Sequence, residues 1–129
     1  MKTVIATEKA PKAVGPYSQA IHDVGWTFVS GQLGINPATG TIDPDFSHQA
    51  MQAMQNLRAV VEAGGNNMSD IVKTTVFLTD IKEFPTFNKI YESFFYADYP
   101  ARSCVQVAAL PLGGKVEIEA IVALQSMTF

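Results

Sequence analysis

The sequence predicts an α+β fold, a mixed β-sheet of about six strands with two helices packed on one face. Two observations carry this. Apolar residues alternate at period two near the C-terminal end, with turn-bounded β-branched and aromatic runs near the start and in the middle, and in two other segments the period shifts to helical spacing. The periods run roughly βββ-α-β-α-ββ, which leaves two apolar helix stripes in need of one sheet face. At 129 residues, with no internal repeat, linker or low-complexity run, residues 1–129 are expected to form a single domain.

The elements follow in order. Thr3 to Thr7 is a short strand candidate, and Pro11, Gly15 and Pro16 punctuate the loop after it. The run "YSQAIHDVGWTFVSGQ" reads as two strands about a turn near Val24-Gly25. "GINPATGTIDPDF" is a Gly- and Pro-rich loop. Ala50, Met54, Leu57, Val60 and Val61, with Ala53 beside them, then recur at helical spacing. Ser47 is a plausible N-cap for that helix, and Gly64-Gly65 a plausible stop. "DIVKTTVFLTD" is rich in β-branched and aromatic residues and reads as a strand. Asp80 and Glu83 have capping-box spacing, and Phe84, Phe87, Tyr91, Phe94 and Phe95, with Ile90 at the edge, form a second helical stripe assigned to the core. Two strands complete the chain, separated by Pro111-Leu112-Gly113-Gly114.

Alternation in these last two strands sets the chemistry. In the first, Arg102, Cys104 and Gln106 share one parity, and Ser103, Val105 and Val107 the other. In the second, Val116, Ile118, Ala120, Val122 and Leu124 oppose Glu117, Glu119, Ile121 and Ala123. With both helices on one side, the remaining sheet face is expected to carry Arg102, Gln106, Glu117 and Glu119 beside Ile121 and Ala123. A half-apolar exposed face points to a partner surface, hence a homo-oligomer.

Composition narrows the function classes. A net charge of −3, a pI near 5.2 and no run of Lys or Arg argue against a nucleic-acid surface. The one short apolar run near the N-terminus is far too short for a membrane span or a signal-peptide core, so cytoplasmic placement is the expectation. One cysteine makes neither an internal disulfide nor a cysteine-rich zinc site, and His22 and His48 stand isolated, so no metal is expected. The glycine pairs lack the spacing of a phosphate or dinucleotide loop.

Positive chemistry remains. A guanidinium holds a carboxylate with a planar fork of donors, and a glutamate positions or deprotonates a water. Arg102 with a glutamate therefore suits hydrolysis of a small carboxylate-bearing substrate, with Tyr17 and Ser30-Gly31 as candidate walls. By spacing alone the same residues also read as a structural ion pair, Glu119 as structural, and Cys104 as a small buried apolar residue.

The motifs "GPYSQA", "SGQLG", "DIVKTTVFLTD", "YPARSCVQVAALP" and "VEIEAIV", in this order and over nearly the whole chain, resemble the Rid family of reactive intermediate deaminases, formerly the YjgF-type family. The arginine of "PARS" fits its RidA-type branch. The resemblance implies a chorismate-mutase-like fold and a homotrimer with active sites at the subunit interfaces. It implies cofactor- and metal-free hydrolysis of reactive enamines and imines, such as 2-aminoacrylate and 2-iminobutyrate, to 2-keto acids and ammonium. In that reading Arg102 clamps the substrate carboxylate, helped by the backbone amide of Cys104. Glu117 holds the attacking water, and Tyr17, Ser30, Gly31 and Asn88 line the pocket. The chain departs from many relatives at Leu33-Gly34 and from Ala109 to Gly114, which flank the expected pocket. A non-catalytic module binding 2-keto acids, a chaperone-like interaction role and a ribonuclease are the alternatives. The acidic composition argues against the last.

Overall fold

The computed structural model describes residues 1–124. Strands β1 (Thr3–Ile5), β2 (Ala20–Asp23) and β3 (Trp26–Leu33) are followed by helix α1 (Phe46–Ala63) and strand β4 (Ile71–Leu78). Helix α2 (Phe84–Glu92) and strands β5 (Ala101–Gln106) and β6 (Val116–Ala123) complete the described chain. The six strands form one mixed sheet in the order β1-β2-β3-β6-β4-β5. Only β4 and β5 run parallel.

That order follows from chain connectivity. A parallel pair needs a long crossover, and α2 with its flanking turns supplies it between β4 and β5. This places β5 at the sheet edge, and β6 then returns through the middle, antiparallel to both β3 and β4. Val116, Ile118, Ala120 and Val122 on β6 are all buried under the helices. Ala50, Ala53, Met54, Leu57, Val60 and Val61 of α1 pack onto them, as the helical spacing predicts. Close approach of α1 to the sheet depends on Gly34, where any Cβ would collide with the backbone of Gln49. This gives one of the sequence's departures, Leu33-Gly34, a packing reason.

Local signals differ from expectation at two helix starts. α1 is capped by Asp45, whose carboxylate accepts a hydrogen bond from the backbone N–H of His48, so Ser47 lies inside the helix. Asp80 caps a short 3₁₀ turn over Ile81–Glu83 rather than α2 itself. The capping box forms elsewhere, between Asn67 and Asp70, ahead of β4. At α1 an aspartate just upstream of Ser47 accepts from an orphan amide and moves the start, whereas α2 begins without a side-chain cap.

The sheet face away from the helices carries Trp26 and Phe28, each about half exposed, with Val105 similarly open on β5. Trp26 and Phe28 are large apolar groups on β3, and Val105 stands across β6 and β4 on the far edge strand.

Candidate functional site

The predicted residues fall into two groups. Tyr17, Ser30, Gly31 and Glu117 line one cavity of about 720 Å³, together with Glu119 and Leu112. A β-bulge builds its floor. The pairing of β3 with β6 slips between Val29 and Gln32, so Ser30 and Gly31 leave the ladder. Bulges re-aim side chains in this way next to functional sites. The Ser30 backbone N–H donates to the Gln19 carbonyl at 2.9 Å, and its hydroxyl donates to the Ser18 carbonyl at 2.6 Å. The Ser30 hydroxyl thus braces the loop that carries Tyr17. Gly31 lets the Glu117 carboxylate lie against the backbone, because a Cβ there would overlap it. Glu117 is half-buried. Desolvation pushes its pKa above the ordinary 4.5, and the neighbouring charge of Glu119 pushes it further the same way.

The rim of the cavity is the turn over Pro111–Gly113, where Leu112 adopts a left-handed φ of 58° and stays largely exposed. Sequence reasoning marked this turn as a departure but did not find Leu112 as a wall residue. Its exposure follows from a backbone conformation that apolar pattern does not encode.

The second group is Arg102 with Asn88 and Cys104. Arg102 donates from Nη1 to Asn88 Oδ1 at 2.9 Å. Its Cζ stands 4.8 Å from the Tyr91 ring centroid and 5.2 Å from that of Phe84. Among the described residues no carboxylate lies within ion-pair distance of it, so the structural ion pair that spacing allowed does not form there. Cys104 is half-buried, and desolvation raises its thiol pKa against the opposing influence of Arg102. Burial thus disfavours the thiolate, the nucleophilic form of the group.

The two groups lie on opposite faces of the sheet, which corrects the expectation that Arg102 and Gln106 share a face with Glu117 and Glu119. Register makes this plain. On β4, Thr74 pairs with Arg102 and Phe77 pairs with Glu117, three residues apart in a regular stretch. Residues an odd number apart in a strand point to opposite faces. Thr74 is buried in the helix-covered face, so Arg102, Cys104 and Gln106 share that side. Gln106 is taken up by structure there, its Oε1 accepting from the backbone N–H of Ile81 at 2.8 Å. Strand alternation was read correctly, but β5 is an edge strand, and its Arg102 meets Phe84, Asn88 and Tyr91 along α2. Its core-facing side chains therefore reach the margin of the core, where a guanidinium can stack on aromatic rings and still meet solvent.

His22 and His48 are apart, the first bonded to Thr27 and the second to Asp43. Among the described residues no three His, Cys, Asp or Glu side chains group as metal ligands, and no helix is long and apolar enough to cross a membrane.

Comparisons with known proteins place this architecture. The family model described as Endoribonuclease L-PSP matches residues 7–124. A 2-iminobutanoate/2-iminopropanoate deaminase of Salmonella typhimurium is 50% identical over 124 residues, covering 94% of this chain and 97% of that protein. The crystal structure of Escherichia coli TdcF with bound serine superposes with a TM-score of 0.93 at 45% identity, over 95% of this chain and 99% of that one. RidA from an Antarctic Psychrobacter gives a TM-score of 0.92, also at 45% identity, over 95% and 99% of the two chains. With this identity over nearly full length and the same six-stranded architecture, the chain belongs to the Endoribonuclease L-PSP family, the YjgF-type or Rid family of reactive intermediate deaminases.

Proposed function

We propose that this protein hydrolyses 2-imino acids of the 2-iminobutanoate and 2-iminopropanoate class to 2-keto acids and ammonia. Arg102 binds the substrate carboxylate, and Glu117 positions the attacking water. The observation that carries this reading is the unpaired guanidinium: Arg102 is held by an amide and two rings, with no carboxylate of the described chain to neutralise it. The bound serine in Escherichia coli TdcF supports it, since serine offers a carboxylate of the kind an unpaired arginine takes. The deaminase names of relatives at 50% identity support the reaction.

The reaction asks little of the protein. Protonation of the imine nitrogen makes its carbon electrophilic. Glu117 takes a proton from water as the oxygen adds to that carbon, and returns it to nitrogen; as the C–N bond of the carbinolamine breaks, the hydroxyl proton passes to the departing ammonia, leaving the ketone and ammonium. Raised basicity suits the carboxylate to this task. Orientation of water and substrate lowers the barrier by several kcal/mol, on the order of the known effects of positioning. Tyr17, Ser30 and Gly31 shape the water side of the pocket; Asn88 and the Cys104 amide support the carboxylate side.

Because Arg102 and Glu117 occupy opposite faces of one sheet, a working site joins the Glu117 cavity of one copy to the Arg102 edge of a neighbour. A homotrimer with three interface sites is the assembly we infer, with the open face around Trp26 and Phe28 as the surface that copies bury. A cytoplasmic enzyme acting on small metabolites is consistent with this. The acidic chain, with no basic stripe, argues against RNA as substrate.

The test is a coupled assay in which an amino acid oxidase generates 2-iminobutanoate and ammonia or 2-ketobutyrate release is followed. Wild type is expected to accelerate release. Arg102→Ala should lose about 2–5 kcal/mol of transition-state binding, by analogy with truncated charge pairs, with the oligomer intact by light scattering. A folded wild type that binds 2-ketobutyrate without acceleration would instead establish a ligand-binding module.

A further inference from the structure

Arg102 gains its orientation from one face of α2. Phe84, Asn88 and Tyr91 recur at i, i+4 and i+7, so they project along a single stripe. Asn88 engages one N–H donor of the guanidinium through Oδ1 at 2.9 Å. Both rings lie within cation–π range of its Cζ. Tyr91 is itself held fast. It is 4% exposed, its hydroxyl shares a 2.8 Å hydrogen bond with Thr74, and its ring packs on Phe87 and Phe95 at 5.6 and 4.9 Å. None of these partners carries negative charge. A carboxylate in their place would orient Arg102 equally well but would compete with the substrate for it. Rings and an amide orient the guanidinium and leave its charge for the ligand.

We propose that Phe84 and Tyr91 are positioning residues that fix the Arg102 guanidinium and thereby give the site its preference for substrates bearing a carboxylate. This rests on the reading of Arg102 as the carboxylate clamp. The sequence pattern assigns both rings to the core, and they serve it, but the stripe of α2 extends past the core edge to the one cation of β5.

Phe84 is the better probe, because it is only half-buried and Leu keeps an apolar side chain on the helix. In the coupled assay, Phe84→Leu should raise KM for 2-iminobutanoate by roughly three- to tenfold, the range expected for loss of a partly desolvated cation–π contact. Its kcat should stay within about twofold, since Glu117 and its water are untouched. Calorimetry on the intact oligomer should show the same weakening for 2-ketobutyrate. Binding of the neutral 2-ketobutyramide should not change. Phe84→Tyr, which keeps a ring over the guanidinium, should restore the wild-type values.

Unchanged KM and 2-ketobutyrate affinity in Phe84→Leu would overturn the proposal, and so would equal weakening of the acid and the amide, which signals general damage to the pocket. Arg102→Ala separates the two readings. If it abolishes carboxylate binding while Phe84→Leu does not weaken it, the clamp stands and only the aromatic positioning fails. If Arg102→Ala leaves carboxylate binding intact, the clamp itself is wrong.

Discussion

Glu117 owes its chemistry to two neighbours of different kind. Burial withholds water from its charge, and Glu119 adds like-charge repulsion; both favour the protonated form. The sign follows for stability and for activity. A carboxylate whose folded pKa is raised contributes stability that is fully present below the unfolded pKa and is lost as pH rises through the folded pKa. Activity runs the other way, because only the ionised form accepts a proton from water. The acid limb of kcat/KM should therefore lie above the ordinary 4.5 of a glutamate. Glu119→Gln removes the repulsion but leaves the burial, so that limb should move to lower pH. pH profiles of the two proteins decide this; an unmoved limb would mean that Glu119 does not act on the group that titrates in catalysis.

At the level of elements, the β2–β3 hairpin holds a local conflict. Asp23 pairs with Trp26 across two turn residues, Val24 and Gly25, with φ values of 45° and 82°. Two-residue turns with both φ values positive match the strand twist and favour Asn-Gly. Gly25 satisfies this, whereas Val24 is β-branched in the left-handed region and largely exposed, so it packs on little in return. Val24→Asn should stabilise the chain by about 1 kcal/mol, read as a rise of a few degrees in Tm. A fall in Tm would show that the valine is covered in the assembly. The β3 bulge is a conflict of the opposite kind. It interrupts the ladder at Ser30 and Gly31, and in doing so it seats the Glu117 carboxylate.

For the molecule as a whole, the two half-sites make a prediction that single variants cannot. Arg102→Ala and Glu117→Gln should each be inactive as pure proteins. Refolded together or co-expressed, they should regain part of the wild-type rate, since some interfaces then pair an intact Glu117 cavity with an intact Arg102 edge. A mixture that stays inactive, although mass spectrometry shows mixed oligomers, would mean that the site is completed within one chain. The same assembly should quench or shift the fluorescence of Trp26, the only tryptophan, relative to dissociated chains.

Local signals determined the element order, because helical spacing, strand alternation, β-branched content and turn residues are properties of neighbours along the chain. They also determined the core stripes of α1 and β6 and, within α2, Phe87 and Tyr91, whereas Phe94 and Phe95 lie past the helix end at Glu92 and are only partly buried; the motifs determined the family. The positions of the individual caps were less legible, since Asp45 and Ser47 both stand where the helical spacing begins and only the folded backbone selects Asp45. The residue list of the candidate site was legible through the motifs, but its division was not. Alternation shows that Arg102 and Val105 face opposite ways, and that Glu117 and Ile118 do too. It does not say which face of β5 lies under the helices. That depends on β5 joining the edge beside β4, parallel and in register with Thr74, while β6 passes through the middle. Strand order is set by long-range pairing and crossover geometry, which no local window of sequence contains, so only the tertiary structure separates the arginine from the glutamate within one chain.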